Sequence, residues 1–249
     1  MKQAFSFFVA LFVWTALSAQ SNFEGIIQTK NSAAPDLNMT FTVKKNLTLV
    51  EIKSGTSKSV LLMDNASGDM TTVAEDNGEK VAVKMNLNDN PYLNQMTADH
   101  RGGNARKAEV TVTGETRNIR GYHCVKVIGK DQNTEGEAWI TKDLDFSMAD
   151  LFPQVGKYFG NDQAILQMND EIKGFVVEMT VKELDTGETW KVENEIVPQK
   201  VPDSVFTGLT EGAEIFDMTD MRQLMIDAQQ NPEKMMRMKE VLMKMQSGN

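Results

Sequence analysis

The chain has 249 residues, of which 41% are hydrophobic and 24% charged. That is enough for one or two domains with a sizeable core, and it excludes a wholly disordered polymer. Its 26 Lys+Arg against 35 Asp+Glu leave −9, which argues against nucleic acid as a partner because phosphate binding needs a basic face. A single Cys excludes an intramolecular disulfide and a Cys-based zinc site.

The N-terminus reads as a targeting segment. Lys2 precedes the uncharged run Ala4 to Leu17, and small residues follow at Ser18 and Ala19. A membrane span needs about 20 apolar residues, so the shorter run predicts a secretory signal peptide over 1–19, cut after Ala19. The mature protein is then expected to be exported, with the periplasm as its compartment and outer-membrane association or secretion as alternatives.

From Phe23 to Val197 the dominant hydrophobic period is two. Met39, Phe41 and Val43 alternate with polar residues, as do Val81, Val83 and Met85 around Ala82 and Lys84. Further along, Phe175, Val177, Met179 and Val181 alternate with Val176, Glu178 and Thr180, and Trp190, Val192 and Ile196 with Lys191, Glu193 and Glu195. Each pattern predicts a half-buried strand. Turn signals separate the strands at Ser54-Gly55, Asn65 to Gly68, Asp76 to Gly78 and Asp185 to Gly187. Short strands joined by short turns predict an antiparallel meander of about ten strands, too many to stay flat.

Two stretches interrupt the alternation. Residues 86–107 have no clear period and hold His100, Arg101, Arg106 and Lys107 beside Gly102-Gly103. They read as a solvated loop, with an anion cradle as the sharper alternative. In 143–171, Phe146, Met148, Leu151 and Phe152 are spaced for a short helix ended by Pro153. Helices inserted between strands usually cover an apolar sheet face. The tail 218–249 then takes the helical period: Thr219 or Asp220 caps a segment reaching Gln230, and Asn231 caps the next with Pro232 at its first position. Met235, Met238, Leu242 and Met245 form its apolar stripe.

Signatures of catalysis are missing. There is no Gly-x-Ser-x-Gly and no His-Glu-x-x-His. Cys124 and His123 are adjacent in a strand and point to opposite faces, so the thiol reads as buried rather than as an activated nucleophile. The acidic pairs Glu135/Glu137 and Glu193/Glu195 each share one face and read as solvated. Eight of the 17 Met lie between Met218 and Met245. Thioethers can bind Cu(I), but no His or Cys accompanies them, so they read as core or as an adaptable contact surface. No cofactor and no metal are expected.

Several stretches taken in order resemble a known family: Phe23 to Ile26, Thr116 to Lys126 with its Ile-x-Gly-Tyr-x-Cys segment, Glu137 to Leu144 with Trp-Ile-Thr-Lys-Asp, Gly174 to Met179, and Val201 to Phe206. The resemblance is to domain of unknown function 4412 (DUF4412), found in exported proteins of Bacteroidetes-type bacteria. That family is similar to the outer-membrane lipoprotein carriers and receptors (LolA/LolB-like). The resemblance implies a mainly β protein with helices: a strongly curved antiparallel sheet, or unclosed β-barrel, with helices covering its concave face.

Combining the two lines, residues 20–217 are expected to form the curled sheet with a helical insert at about 143–171, and 218–249 a Met-rich cover. The expected function is a non-enzymatic envelope protein binding a hydrophobic ligand, lipid or lipidated protein. The alternative is a structural or protein-interaction module without a small ligand. Groove or cover residues are predicted to be Phe41, Val83, Tyr122, Trp139, Phe175, Val177, Met179, Trp190, Met235, Met238 and Leu242. An acyl chain or an envelope protein is the expected partner, with a membrane surface reached through the C-terminal helix as a further one.

Overall fold

A computed structural model describes residues 23–76, 78–88, 109–144, 146–151, 174–233, 236–238 and 240. Twelve strands form one sheet: β1 (Glu24–Asn31), β2 (Leu37–Lys44), β3 (Leu47–Ser54), β4 (Ser57–Asp64), β5 (Asp69–Asp76), β6 (Glu79–Asn86), β7 (Glu109–Ile119), β8 (Tyr122–Lys130), β9 (Thr134–Thr141), β10 (Phe175–Glu183), β11 (Thr189–Pro198) and β12 (Glu214–Asp217). The strand order is β12-β6-β5-β4-β3-β2-β1-β11-β10-β9-β8-β7. The meander β1 to β6 follows from the short turn-forming links, and Gly55 and Gly68 take the positive φ those turns need. The alternation predicted an all-antiparallel sheet. The structure corrects this at one edge, where β12 runs parallel to β6 with Phe216 opposite Val83.

The two end strands β12 and β7 are not paired with each other, so the sheet is unclosed. It is strongly curled. Three strand spacings of about 4.8 Å separate β8 from β11 in a flat sheet. Yet the Tyr122 hydroxyl on β8 comes within 3.5 Å of the Ile196 carbonyl on β11. From the β7–β8 turn, Arg120 reaches Glu193 on β11 at 3.2 Å and Glu178 on β10 at 3.4 Å.

Inner side chains of this curl form the largest cluster: Ile27, Phe41, Val43, Val50, Cys124, Phe175, Val177 and Ile196, with Phe23, Phe146 and Leu151 packed among them. The outer face of β3 to β6 is also apolar. Leu49, Val60, Val73 and Ala82 are buried under Val201 and Phe206 of the 198–213 segment, which includes a 3-10 turn at Asp203–Phe206. That segment is tied down at its start. The Val201 N–H donates to Glu24 at 2.6 Å, and the Lys44 ammonium donates to the Val201 carbonyl at 2.6 Å while pairing with Asp203 at 2.7 Å.

Helices are scarcer than expected. Among the described residues they comprise one turn, α1 (Met148–Leu151), the ten-residue α2 (Met221–Gln230), and helical residues after Pro232. A helical roof over the concave face is therefore not seen there; Phe146 and Leu151 enter the core from a loop and a single turn instead. Residues 152–173, where the rest of the insert was expected, lie outside the described residues. The α2 cap is Asp220, whose Oδ1 accepts the Gln223 N–H at 3.1 Å.

Candidate functional site: the inner face of the curled sheet

The inner face is built by register. Gly25, Ile27 and Thr29 of β1 stand opposite Val43, Phe41 and Met39 of β2, which stand opposite Thr48, Val50 and Ile52 of β3. Val50 faces Leu61, Leu61 faces Thr72, and Thr72 faces Val83. A mostly apolar band thus runs from Ile27 through Phe41, Val50 and Leu61 to Val83, with Thr72 as its β5 member, because alternate residues of a strand share one face.

A β-bulge divides β10. Its pairing with β9 slips between Val176 and Glu178, leaving Val177 extra. Phe175 and Val177 consequently join the inner cluster, whereas Val176, Met179 and Val181 pack with Val127, Ala138 and Ile140 in a second one. The strand switches which side it contributes to, and this is one device that lets a wide sheet roll up.

The predicted groove residues therefore separate into groups. Phe41, Phe175 and Val177 meet in the inner cluster, with Tyr122 and Trp139 half-buried against it. Val83 and Met238 meet at the β12 edge, with Val81 and Phe216. Met179 and Trp190 belong to the second cluster and do not join Phe41. Met235 and Leu242 lie outside the described residues. Ile27, Val50 and Phe216 are inner residues that the prediction did not name. Each sits at an alternating position, so the signal was present in the strand pattern. The sequence spacing puts Phe146 and Leu151 on a helical face. Their place is the centre of the inner cluster, where Phe146 stacks on Phe23 at 4.9 Å and on Phe175 at 5.5 Å.

Charged groups lie beside this band rather than within it. Glu178 is largely buried and pairs with both Arg120 and Lys191, each at 3.4 Å. The Lys191 ammonium, hydrogen-bonded to Glu193 at 2.7 Å, holds that carboxyl below its usual range, with Arg120 adding to the effect. Lys126 pairs with Glu137 at 3.0 Å. Lys126 and Arg117 lie 6.0 and 5.9 Å from the Trp139 ring centre, within cation–π range.

Cys124 is fully buried, and burial together with Asp143 and Glu178 pushes its thiol up to about 11. It is therefore protonated at neutral pH, which makes it a poor nucleophile. His123 is exposed, and its backbone N–H donates to Asp143 at 2.6 Å. No group of three or more His, Cys, Asp or Glu suited to a metal occurs among the described residues. No helix among them is long and apolar enough to cross a membrane. A cavity of about 200 Å³ lies on the outer side, between Val60, Val73 and the loop at Thr207 to Leu209, rimmed by Lys58, Glu75 and Lys80.

A curled, unclosed sheet with an apolar inner band defines the class of molecule. The chain belongs to the family described as domain of unknown function (DUF4412), which it matches over residues 23–208. No curated protein matches it. Among solved structures it is similar to PNGF-II in a C2 space group (TM-score 0.43, 18% identity, 79% of this chain and 31% of that one) and in a P21 space group (TM-score 0.41, 16% identity, 81% and 32%). The chain thus spans about a third of the length of that protein.

Proposed function

We propose that this is an exported, non-enzymatic binding protein of the cell envelope that holds a hydrophobic guest (a lipid, an acyl chain or a lipidated protein) on the inner face of its curled sheet. The observation that carries the reading is the band from Ile27 through Phe41, Val50 and Leu61 to Val83, apolar except for Thr72 on β5. Side chains that belong to loops and a short helical turn, rather than to a second sheet, pack on this band: Phe146 and Leu151 at one end, Met238 at the other. Such pegs can be displaced without breaking strand pairing. The similarity of the family to outer-membrane lipoprotein carriers belongs to the same proposal, as does the signal peptide over 1–19.

The Phe23–Phe146–Phe175 stack favours a second reading, an interaction module whose hollow is filled by its own side chains. Native mass spectrometry with lipid extraction, on protein purified from its own host, separates the two. Co-purifying acyl species support a carrier; a bare polypeptide mass and an empty extract support the filled module.

A further inference from the structure

At the β12 edge the inner face ends beneath the C-terminal segment. Val81, Val83 and Phe216 are buried there, and Met238 lies on them with 5% of its surface exposed. The adjacent Arg237 grips the sheet. It pairs with Glu79 on β6 and, through Nε at 3.5 Å, with Glu214 on β12, while its Nη1 lies 3.4 Å from Glu240 of its own segment. One guanidinium thus bridges both strands of the parallel pair, and one thioether plugs the apolar seat between them.

The chemistry of this attachment is that of a reversible one. Glu79 and Glu214 are about half-exposed, at 53% and 48%, so their attraction to Arg237 is felt through water and weakens as salt is added. A thioether is a deformable plug that tolerates exchange for another apolar group. Met236, one residue before the clasp, is 66% exposed, so it faces solvent while Met238 faces the sheet.

We infer that Arg237 and Met238, with Glu240, form a releasable strap over the β6/β12 end of the inner face, closed by an ionic clasp centred on Arg237, and that its release admits the hydrophobic guest at that end. The inference rests on the reading that the inner face takes such a guest. Its specific content is that access is regulated, that the regulator is this ion-pair cluster, and that the seat vacated by Met238 is the point of entry.

The test uses the full chain carrying C124S/M238C, in which the maleimide labelling rate of residue 238 reports strap opening. N-phenyl-1-naphthylamine fluorescence, measured on chains retaining Met238, reports guest uptake. Labelling should rise about fivefold or more between dilute buffer and about 1 M salt, where charges are screened within about 3 Å. R237E should label fast at every salt concentration, and E79R/R237E, which restores an opposite-charge pair, should bring back slow, salt-sensitive labelling. Dye uptake should follow the labelling rates across the same set. Labelling that is indifferent to R237E and to salt overturns the strap, whatever the dye does. A loosened strap with dye taken up equally by wild type and R237E overturns the gating while leaving guest binding intact. A loosened strap with no dye or lipid bound by any variant overturns guest binding itself, and gating with it.

Discussion

Phe146 is the most informative residue to remove, because it belongs to no strand yet sits at the centre of the inner cluster with 4% of its surface exposed. Phe146→Ala deletes a ring stacked between Phe23 and Phe175. Taking roughly 120 Å² of apolar ring surface at about 25 cal/mol per Å² gives a loss of about 3 kcal/mol. The cavity and the two lost stacking contacts raise this to about 3–5 kcal/mol. For a chain of this size such a loss lowers the melting temperature by roughly 10 °C. Urea denaturation is the assay: the midpoint should fall while the slope stays constant, since the surface exposed on unfolding barely changes. The same variant should bind more N-phenyl-1-naphthylamine than wild type, because the vacated space opens on the apolar band. A loss below about 1 kcal/mol would refute the reasoning, as it would mean that the 146–151 segment does not fill the hollow.

Four other outcomes follow from the same structure. Gly174→Ala should destabilise by about 1–3 kcal/mol in denaturant titration, because a Cβ there would stand 2.5 Å from the Thr141 carbonyl oxygen and 2.7 Å from the Ile140 side chain. Arg120 sits at φ 52° in the β7–β8 turn; R120A should cost about 1–2 kcal/mol by leaving Glu178 to Lys191 alone, and R120G about 1 kcal/mol less than R120A because glycine accepts that φ. Cys124 should resist alkylation in the native protein; since the unfolded thiol ionises near 9.0 and the folded one at about 11, the folded state holds the extra proton in that window, so stability should fall as pH climbs through it, and C124S should flatten this limb. Glu193 has the opposite sign: its folded-state value lies below the ordinary one, so its stabilisation is present above the ordinary carboxylate range and lost as pH falls through the folded value, and E193Q should make acid unfolding less steep.

How much of this was legible beforehand depends on what covers each strand. The alternation at Phe41, Val43, Val81 and Val83 marked inner positions correctly, because those strands bury every second residue against the hollow. It also assigned Ala82 to a wet face, and Ala82 is fully buried. The 198–213 segment lies over the outer side of β6, and an irregular cover leaves no periodic trace in the strand beneath it. Thr42 is buried for a related reason, since it stands opposite Leu49 on the covered outer face, whereas Thr48 is a polar residue on the inner face opposite Val43. β10 shows another limit. Phe175, Val177, Met179 and Val181 have perfect period two, yet the bulge at Val177 sends the first two and the last two into different clusters. A bulge is set by a neighbouring strand's register, so the strand's own pattern does not announce it. Because capping is local, the sequence narrowed the α2 cap to Thr219 or Asp220, and the structure selects Asp220. The clasp was not, because Arg237 meets Glu79 and Glu214 only after the chain has folded.

The central claim is that the apolar band from Phe41 to Val83 receives a hydrophobic guest. A fatty acid bearing a photoreactive diazirine near its chain end, bound to the full protein, irradiated and mapped by peptide mass spectrometry, addresses it most directly. The account predicts cross-links on inner-face residues such as Val50, Leu61 and Val83, suppressed by excess unlabelled fatty acid. Cross-links scattered over exposed residues, or confined to the outer-face set of Leu49, Val60 and Val73, would contradict it.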